Sequence, residues 1–86
     1  MTKATEWIVY IIEADNGHLY TGITTDLARR LTEHKQHKGG ARFFHTSAAN
    51  KVVYQETATD RSSASKREAA IKKLHRKAKL ALIATS

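Results

Sequence analysis

The sequence contains no cysteine and no proline, and only four of its 86 residues are glycine. Without cysteine there is no disulfide framework, no thiolate zinc site and no cysteine nucleophile, which fits a reducing compartment. No apolar run approaches the roughly 18 residues that span a membrane, and the first residues lack the basic region, apolar core and cleavage site of a signal peptide. We therefore expect a cytoplasmic protein.

Motifs of several enzyme classes are missing as well. There is no glycine-rich phosphate loop, no nucleophile elbow, no internal repeat and no composition change that would mark a linker. A chain of 86 residues can build one modest hydrophobic core. We therefore expect a single domain over residues 1–86 with one functional surface.

Positive charge, by contrast, is abundant. Fifteen Lys and Arg residues outweigh eight Asp and Glu, which gives a net charge of +7. Residues 61–79 hold eight of these basic side chains and a single acid, Glu68. Basic composition can serve solubility alone, but a phosphate backbone would be attracted to such a segment, with an affinity that falls as salt rises. Polyanions are therefore the expected partner class.

Two strands are predicted near the N-terminus. Residues 7–12, WIVYII, form a β-branched and aromatic run typical of a strand buried on both faces, and residues 18–23, HLYTGI, form a second strand. The ADNGH segment between them favours a hairpin. Its loop has either two residues, 16–17, or three residues, 15–17, the last of them a glycine in the left-handed conformation.

The loop length decides which residues share a face of the sheet. With two loop residues, Tyr10 and Tyr20 lie on opposite faces. With three, Tyr10 pairs with Gly22, Ile12 pairs with Tyr20, and both tyrosines share a face.

A first helix is predicted over residues 26–38. Thr24 or Thr25 can cap it, and Asp26 in its first turn suits the helix dipole. Its apolar positions are Leu27 and Leu31, and the glycines of KGG, residues 38–40, end it.

The remaining elements are a strand and helical segments. Residues 51–57 are predicted as a third strand after a loop or short turn at residues 41–50. Asp60 then opens a helix over residues 61–77, and residues 78–84 form a short C-terminal helix or extension. The inward positions of the long helix are Ala64, Ile71 and Leu74. The fold class is α+β: a small, mainly antiparallel three-stranded sheet flanked by helices, in the order β-β-α-β-α-α.

Three ionisable residues border the apolar stripes of the predicted helices. Arg30 and His34 lie three and seven residues after Leu27, and Arg30 there needs either a carboxylate partner or an anionic ligand. Glu68 shares a face with Ala64, and it is either half of an exposed pair with Lys72 or an inward ligand for a cation. His34 and His37 have a metal-compatible spacing, but without further ligands a zinc site is only weakly indicated.

The second predicted strand has two features with more than one interpretation. Tyr20, like Tyr10 on the first strand, is explained by core packing alone or by a role in a site. Gly22 weakens the strand pattern, which indicates a bulge or a close approach of another group.

Taken in order, VYII (9–12), YTG (20–22), TTDLARRLTEH (24–34) and KREAAIKKL (66–74) resemble the GIY-YIG nuclease superfamily. They are most similar to its small stand-alone bacterial members of the UPF0213 type. The resemblance extends from about Trp7 to Leu82. It implies a small antiparallel sheet flanked by helices, and cleavage of nucleic-acid phosphodiesters with one divalent ion, Mg²⁺ or Mn²⁺.

The resemblance also implies roles for individual residues. Tyr10 and Tyr20 match the tyrosines of the two sequence signatures of the family. Arg30 matches its essential arginine, and His34 matches a position that is often histidine or tyrosine. Glu68 matches the metal-binding glutamate. Because both tyrosines then belong to the site, we favour the three-residue turn, in which Gly22 opposite Tyr10 leaves room for a close backbone approach.

The basic residues expected to contact nucleic acid, DNA rather than RNA, are Lys35, Lys38, Arg42, Lys66 and Lys72. Ile8 stands where the first signature of the family has a glycine, and Ile23 stands where some relatives have a lysine. These two differences imply a weaker or altered activity. Without a separate DNA-binding domain we expect low sequence specificity. The alternatives are a nucleic-acid-binding module of the same fold without turnover, and a protein-interaction adaptor.

Overall fold

The computed structural model describes residues 6–35 and 49–85 of the chain. These residues form three strands and three helices in the predicted order: β1 (Trp7–Ala14), β2 (Leu19–Thr24), α1 (Leu27–Lys35), β3 (Ala49–Ala58), α2 (Arg61–Lys72) and α3 (Arg76–Ala84). The predicted α+β fold is confirmed. No helix in the two described ranges has the length and apolar character needed to cross a membrane.

The sheet has β1 at its centre, with β2 and β3 antiparallel on either side. The three-residue hairpin loop is confirmed, because the amide of Ala14 donates to the carbonyl of His18 at 2.9 Å and Gly17 has φ of 86°. That φ lies in the left-handed region, which glycine adopts without strain. The resulting register pairs Tyr10 with Gly22 and Ile12 with Tyr20.

The central strand supplies two hydrophobic cores because alternate side chains point to opposite faces of a sheet. Tyr10 and Ile12 pack on one face beneath Leu27 and Leu31 of α1. The opposite face carries Val9 and Ile11. These two residues pack against α2, through Ala64 and Ile71, and against α3, through Leu82 and Ile83. The molecule therefore has three layers, with α1 on one side of the sheet and α2 and α3 on the other.

The predicted cap of α1 was wrong by one or two residues. The carboxylate of Asp26 accepts the amide hydrogen of Arg29 at 3.1 Å, so Asp26 is the capping residue. Thr24 acts one step earlier, where its hydroxyl oxygen accepts from the amide of Asp26 at 3.1 Å. The helix is described as far as Lys35, and its predicted end at residues 36–38 lies outside the described residues.

The single long helix predicted over residues 61–77 was also wrong. Helix α2 ends at Lys72, and His75 has an extended backbone and caps α3, its Nδ1 accepting from the amide of Ala78 at 3.3 Å. Because Leu74 lies in this break rather than on the buried face of a helix, it is 36% exposed instead of inward. Asp60 caps α2 as predicted, accepting from the amide of Ser63 at 2.7 Å.

Strand β3 begins two residues earlier and ends one residue later than predicted, at Ala49 and Ala58. It is fastened to α2 by Glu56, whose two carboxylate oxygens accept from Nε of Arg67 at 3.0 and 3.1 Å, while Tyr54 donates its hydroxyl to the same carboxylate. Of the loop or turn predicted at residues 41–50, residues 49 and 50 belong to β3, and residues 41–48 lie outside the described residues.

Candidate active site

The β1–β2 register places the ring of Tyr10 across Gly22. A Cβ atom added to Gly22 would lie 2.5 Å from the hydroxyl oxygen of Tyr10 and 2.7 Å from its Cζ. Atoms in ordinary contact are at least 3.4 Å apart, so no side chain fits here unless Tyr10 moves. The space that glycine leaves is thus filled by the tyrosine ring, whereas the sequence had suggested a backbone approach.

Tyr10, Tyr20 and His34 form an aromatic cluster on the face covered by α1. The ring of His34 lies 5.2 Å from that of Tyr20 in an edge-on arrangement and 6.2 Å from that of Tyr10, and the two tyrosine rings are 6.4 Å apart, centroid to centroid. His34 reaches the cluster because it follows Leu27 and Leu31 on the inward side of α1. Its Nε2 and the hydroxyl of Tyr10 share a hydrogen bond of 3.1 Å.

Burial sets the protonation of this pair. It lowers the pKa of His34 to about 4, with the nearby Arg30 charge acting in the same direction, so the imidazole is neutral near pH 7. Burial also raises the pKa of the Tyr10 hydroxyl to about 12, although a hydrogen bond from Arg30 opposes that rise. In this state Tyr10 is a neutral phenol.

The Arg30 guanidinium has two partners. It donates to the Tyr10 hydroxyl, and its Nη1 lies 3.1 Å from Oε1 of Glu33. Burial alone would lower the pKa of Arg30, but these two partners raise it above its ordinary value. The side chain is 27% exposed, so one part of the guanidinium faces solvent beside the aromatic cluster.

Glu33 is a site residue that the sequence interpretation missed. Its second carboxylate oxygen lies 3.5 Å from Nη1 of Arg29, so it bridges both arginines. The signal was available in the spacing, because a residue three and four positions after two arginines lies on the same side of a helix. Arg29 is 61% exposed, as expected of a solvated arginine, although it also pairs with Asp26.

Glu68 lies on α2. The predicted pair with Lys72 is present: Oε2 of Glu68 lies 3.3 Å from Nζ of Lys72, and the Glu68 side chain is 23% exposed. Its negative charge makes the smallest of the contributions to the raised pKa of Tyr10. The structure therefore brings together Tyr10, Tyr20, Arg30 and His34, whereas Glu68 belongs to α2, which packs on the other face of the sheet.

The other candidates are dispersed. Lys35 and Lys66 are exposed on α1 and α2, and Lys72 is held by Glu68. Lys38, Arg42 and His37 lie outside the described residues. Within the described ranges no three His, Asp or Glu side chains form a group able to hold a metal ion, so an ion at this site would depend on Glu68 for its protein ligand.

Comparison with known proteins identifies relatives of this chain. The profile of the GIY-YIG catalytic domain matches residues 6–81. A UPF0213 protein of Desulfotalea psychrophila is 48% identical over 85 residues, covering 99% of this chain and 77% of that protein. One of Pseudomonas aeruginosa is 47% identical over 77 residues, covering 90% of this chain and 73% of the relative.

A solved structure is also similar. The solution NMR structure of a UPF0213 protein from Bacillus halodurans superimposes with a TM-score of 0.61 at 31% identity, over 94% of this chain and 85% of that one. The GIY-YIG catalytic domain defines a nuclease-type family with nucleic-acid substrates. The match over residues 6–81, the identity of nearly half to full-length relatives and the shared fold together show that this chain belongs to the GIY-YIG family, among its UPF0213 members.

Proposed function

We propose that the chain is a metal-dependent endonuclease that hydrolyses nucleic-acid phosphodiester bonds with low sequence specificity. The observation that supports this proposal most strongly is the cluster of Tyr10, Tyr20 and His34 on the face covered by α1, with Arg30 bonded to the Tyr10 hydroxyl. The charge of Glu68, on α2, also acts on the pKa of that hydroxyl.

Arg30 is proposed to bind the scissile phosphate. A guanidinium can donate two parallel hydrogen bonds to phosphate oxygens and stabilise the charge that develops on them. Its bond with Glu33 uses Nη1, and a guanidinium has five N–H donors, so donors remain for the phosphate. The bond with Glu33 orients the guanidinium.

Tyr10 is proposed to orient the attacking water and, once it has lost its own proton to solvent, to accept the proton of that water as a phenolate. With a pKa of about 12 the hydroxyl stays protonated at neutral pH in the resting site. Forming the phenolate requires more positive charge near the hydroxyl oxygen than the resting site supplies. Neutral His34 holds the hydroxyl in place through their 3.1 Å hydrogen bond, and Tyr20, in edge contact with His34, restricts that imidazole.

Glu68 is proposed to hold the divalent ion, Mg²⁺ or Mn²⁺. The residues fit such a group because the partly buried carboxylate already binds a cationic atom, Nζ of Lys72, and hard cations prefer carboxylate oxygens. When bound, the ion would lower the pKa of water and stabilise the leaving oxygen. Lys72 must release Glu68 for this to occur.

Cleavage assays test the proposal. Purified protein is incubated with branched, single-stranded and duplex DNA in the presence of Mg²⁺ or Mn²⁺. We expect cleavage that is insensitive to sequence and that falls about 10²–10³-fold in Glu68→Gln and in Arg30→Ala, the usual cost of removing one charge-stabilising group. Glu6→Gln is the matched control, since Glu6 is exposed ahead of β1. Absence of cleavage on every substrate, or full activity of Glu68→Gln, contradicts the proposal.

The second candidate is a nucleic-acid-binding module without turnover. The pair between Glu68 and Lys72 favours it, because a protein cation already neutralises the carboxylate that would hold an ion. It predicts salt-sensitive DNA binding that Glu68→Gln leaves unchanged, with no cleavage under any metal condition.

A further inference from the structure

A basic cavity lies beside the hairpin, lined by His18, Leu19, Arg76 and Lys79. Its volume is about 180 Å³, whereas a cavity of about 10–15 Å³ already holds one water molecule. It therefore has room for a phosphate group with part of its hydration shell. None of the residues assigned to the candidate active site lines it.

Arg76 is held in place at the mouth of this cavity. Its Nη1 donates to the carbonyl of Gly17 at 2.9 Å, a bond between residues 59 positions apart in the sequence. Gly17 presents that carbonyl because it ends the hairpin loop in the left-handed conformation. A guanidinium has five N–H donors, so this bond orients the group and leaves most of its donors for a ligand.

The charge of the cavity is not neutralised within the described part of the chain. No ion pair joins Arg76 or Lys79 to a carboxylate there, and this includes Glu13, which lies opposite Leu19 on β1. Arg76 and Lys79 are three residues apart on α3 and so lie on one side of that helix. Two cations, one of them fixed, thus line a space to which the described residues contribute no carboxylate.

We propose that this cavity, which we name the hairpin cavity, binds a second phosphate of the nucleic-acid strand that enters the active site. The inference rests on the proposed function only in taking nucleic acid as the partner. His18 lies immediately before β2 and two residues before Tyr20, which is about 7 Å along the chain at about 3.3 Å per residue. That distance is the rise of about two nucleotides at about 3.4 Å each. Leu19, the residue between His18 and Tyr20, lines the cavity.

The hairpin cavity would fix the direction in which the strand crosses the edge of β2. Phosphate contacts set the position and orientation of a nucleic acid without reading its bases. This role agrees with low sequence specificity, because the cavity contributes affinity that depends on salt rather than on sequence.

The test measures binding of a fluorescein-labelled 20-nucleotide single strand, and of the same sequence as a duplex, by fluorescence anisotropy. EDTA and phosphate-free buffer are used, so that binding is observed without cleavage. The variant Arg76→Gln/Lys79→Gln is compared with Lys73→Gln/Lys77→Gln, which removes the same charge from residues that do not line the cavity. Lys79→Gln alone leaves the Arg76–Gly17 bond intact, and circular dichroism checks the fold of each variant.

We expect the cavity variant to bind about tenfold more weakly, the effect of losing charge-assisted hydrogen bonds. Its plot of log affinity against log salt should be shallower by about 0.7 for the single strand, the contribution of one phosphate. Lys79→Gln should show part of this loss of affinity. The control pair Lys73→Gln/Lys77→Gln should lose less than about half as much affinity on a logarithmic scale.

Equal weakening by both pairs, or unchanged affinity of a folded cavity variant, overturns the inference. So does a chemical-shift titration in which the cavity residues respond to inorganic phosphate but not to the oligonucleotide. If the wild type binds through the cavity yet cleaves nothing with Mg²⁺ or Mn²⁺, the nuclease proposal fails and this inference stands. If the wild type cleaves and the cavity variant binds with normal affinity, the nuclease proposal stands and this inference fails.

Discussion

Replacing Gly22 by alanine tests the packing at the centre of the site. The new Cβ would lie 2.5 Å from the Tyr10 hydroxyl oxygen, about 1 Å inside ordinary contact. Tyr10 has no free space to move into, since it is 1% exposed and bonded to His34. Overpacking of this kind costs about 1–3 kcal/mol, and displacing the hydroxyl from His34 adds about 1 kcal/mol. Removing a strand glycine returns about 0.5–1 kcal/mol.

The expected result is a net loss of about 1–3 kcal/mol in the free energy of unfolding. Equilibrium urea denaturation, followed by the fluorescence of the single tryptophan, Trp7, and by circular dichroism, measures it. The cause is identified by repeating the substitution in a Tyr10→Leu background. Leucine lacks the hydroxyl oxygen and the two ring atoms that meet the new Cβ, so there Gly22→Ala should be neutral or stabilising by up to about 1 kcal/mol.

Gly17→Ala is the matched control. A Cβ at Gly17 meets only Nη2 of Arg76, at 3.9 Å, and its cost of about 1–2 kcal/mol arises from the positive φ. That cost should be the same with Tyr10 or Leu at position 10. The explanation is refuted if Gly22→Ala costs as much in the leucine background as in the wild type, or if it costs nothing in either.

Three further predictions concern ionisable groups. Because folding lowers the pKa of His34 from 6.5 to about 4, the unfolded chain binds a proton that the folded chain does not, so stability should fall by up to about 3 kcal/mol as the pH drops from about 6.5 to 4. Urea denaturation at several pH values should show a smaller decline in His34→Gln, and an equal decline would contradict the assignment. Lys72→Gln should lower the Mg²⁺ concentration for half-maximal cleavage about two- to fivefold at saturating DNA, because Glu68 loses a competing cation; an unchanged or higher midpoint argues against an ion at Glu68. Glu56→Gln should destabilise the fold by about 0.5–1 kcal/mol at low salt, since the partners of this carboxylate on Tyr54 and Arg67 are partly exposed. That loss should shrink in 1 M NaCl, as thermal denaturation would show, and a loss independent of salt would exclude an ionic origin.

The sequence predicted the strands and the hairpin register because these depend on local patterns. A continuous β-branched run identifies a strand buried on both faces. The ADNGH segment allowed a hairpin loop of either two or three residues. The choice between those lengths needed the resemblance to a family with two tyrosines in its site. The structure then confirmed that Tyr10 and Tyr20 share a face.

The errors occurred where side chains compete for the same backbone groups. Thr24, Thr25 and Asp26 are all good capping residues, and sequence alone does not say which one meets the free amides. The break after Lys72 depends on His75 acting as a cap, a role for which histidine has no strong preference. Glu33 and the Arg76–Gly17 bond depend on side-chain placement, and the latter on tertiary contact between distant segments.

The three-layer arrangement means that the candidate active site is completed only when both helical layers have packed on the sheet. Arg30 and His34 belong to the helix on one side of the sheet, and Glu68 to a helix on the other side. Neither half holds all of the residues proposed for catalysis. If the chain has the proposed nuclease activity, a nascent or proteolysed chain in which only one layer has docked would therefore leave nucleic acids uncut, and hydrolysis would require the fully folded molecule.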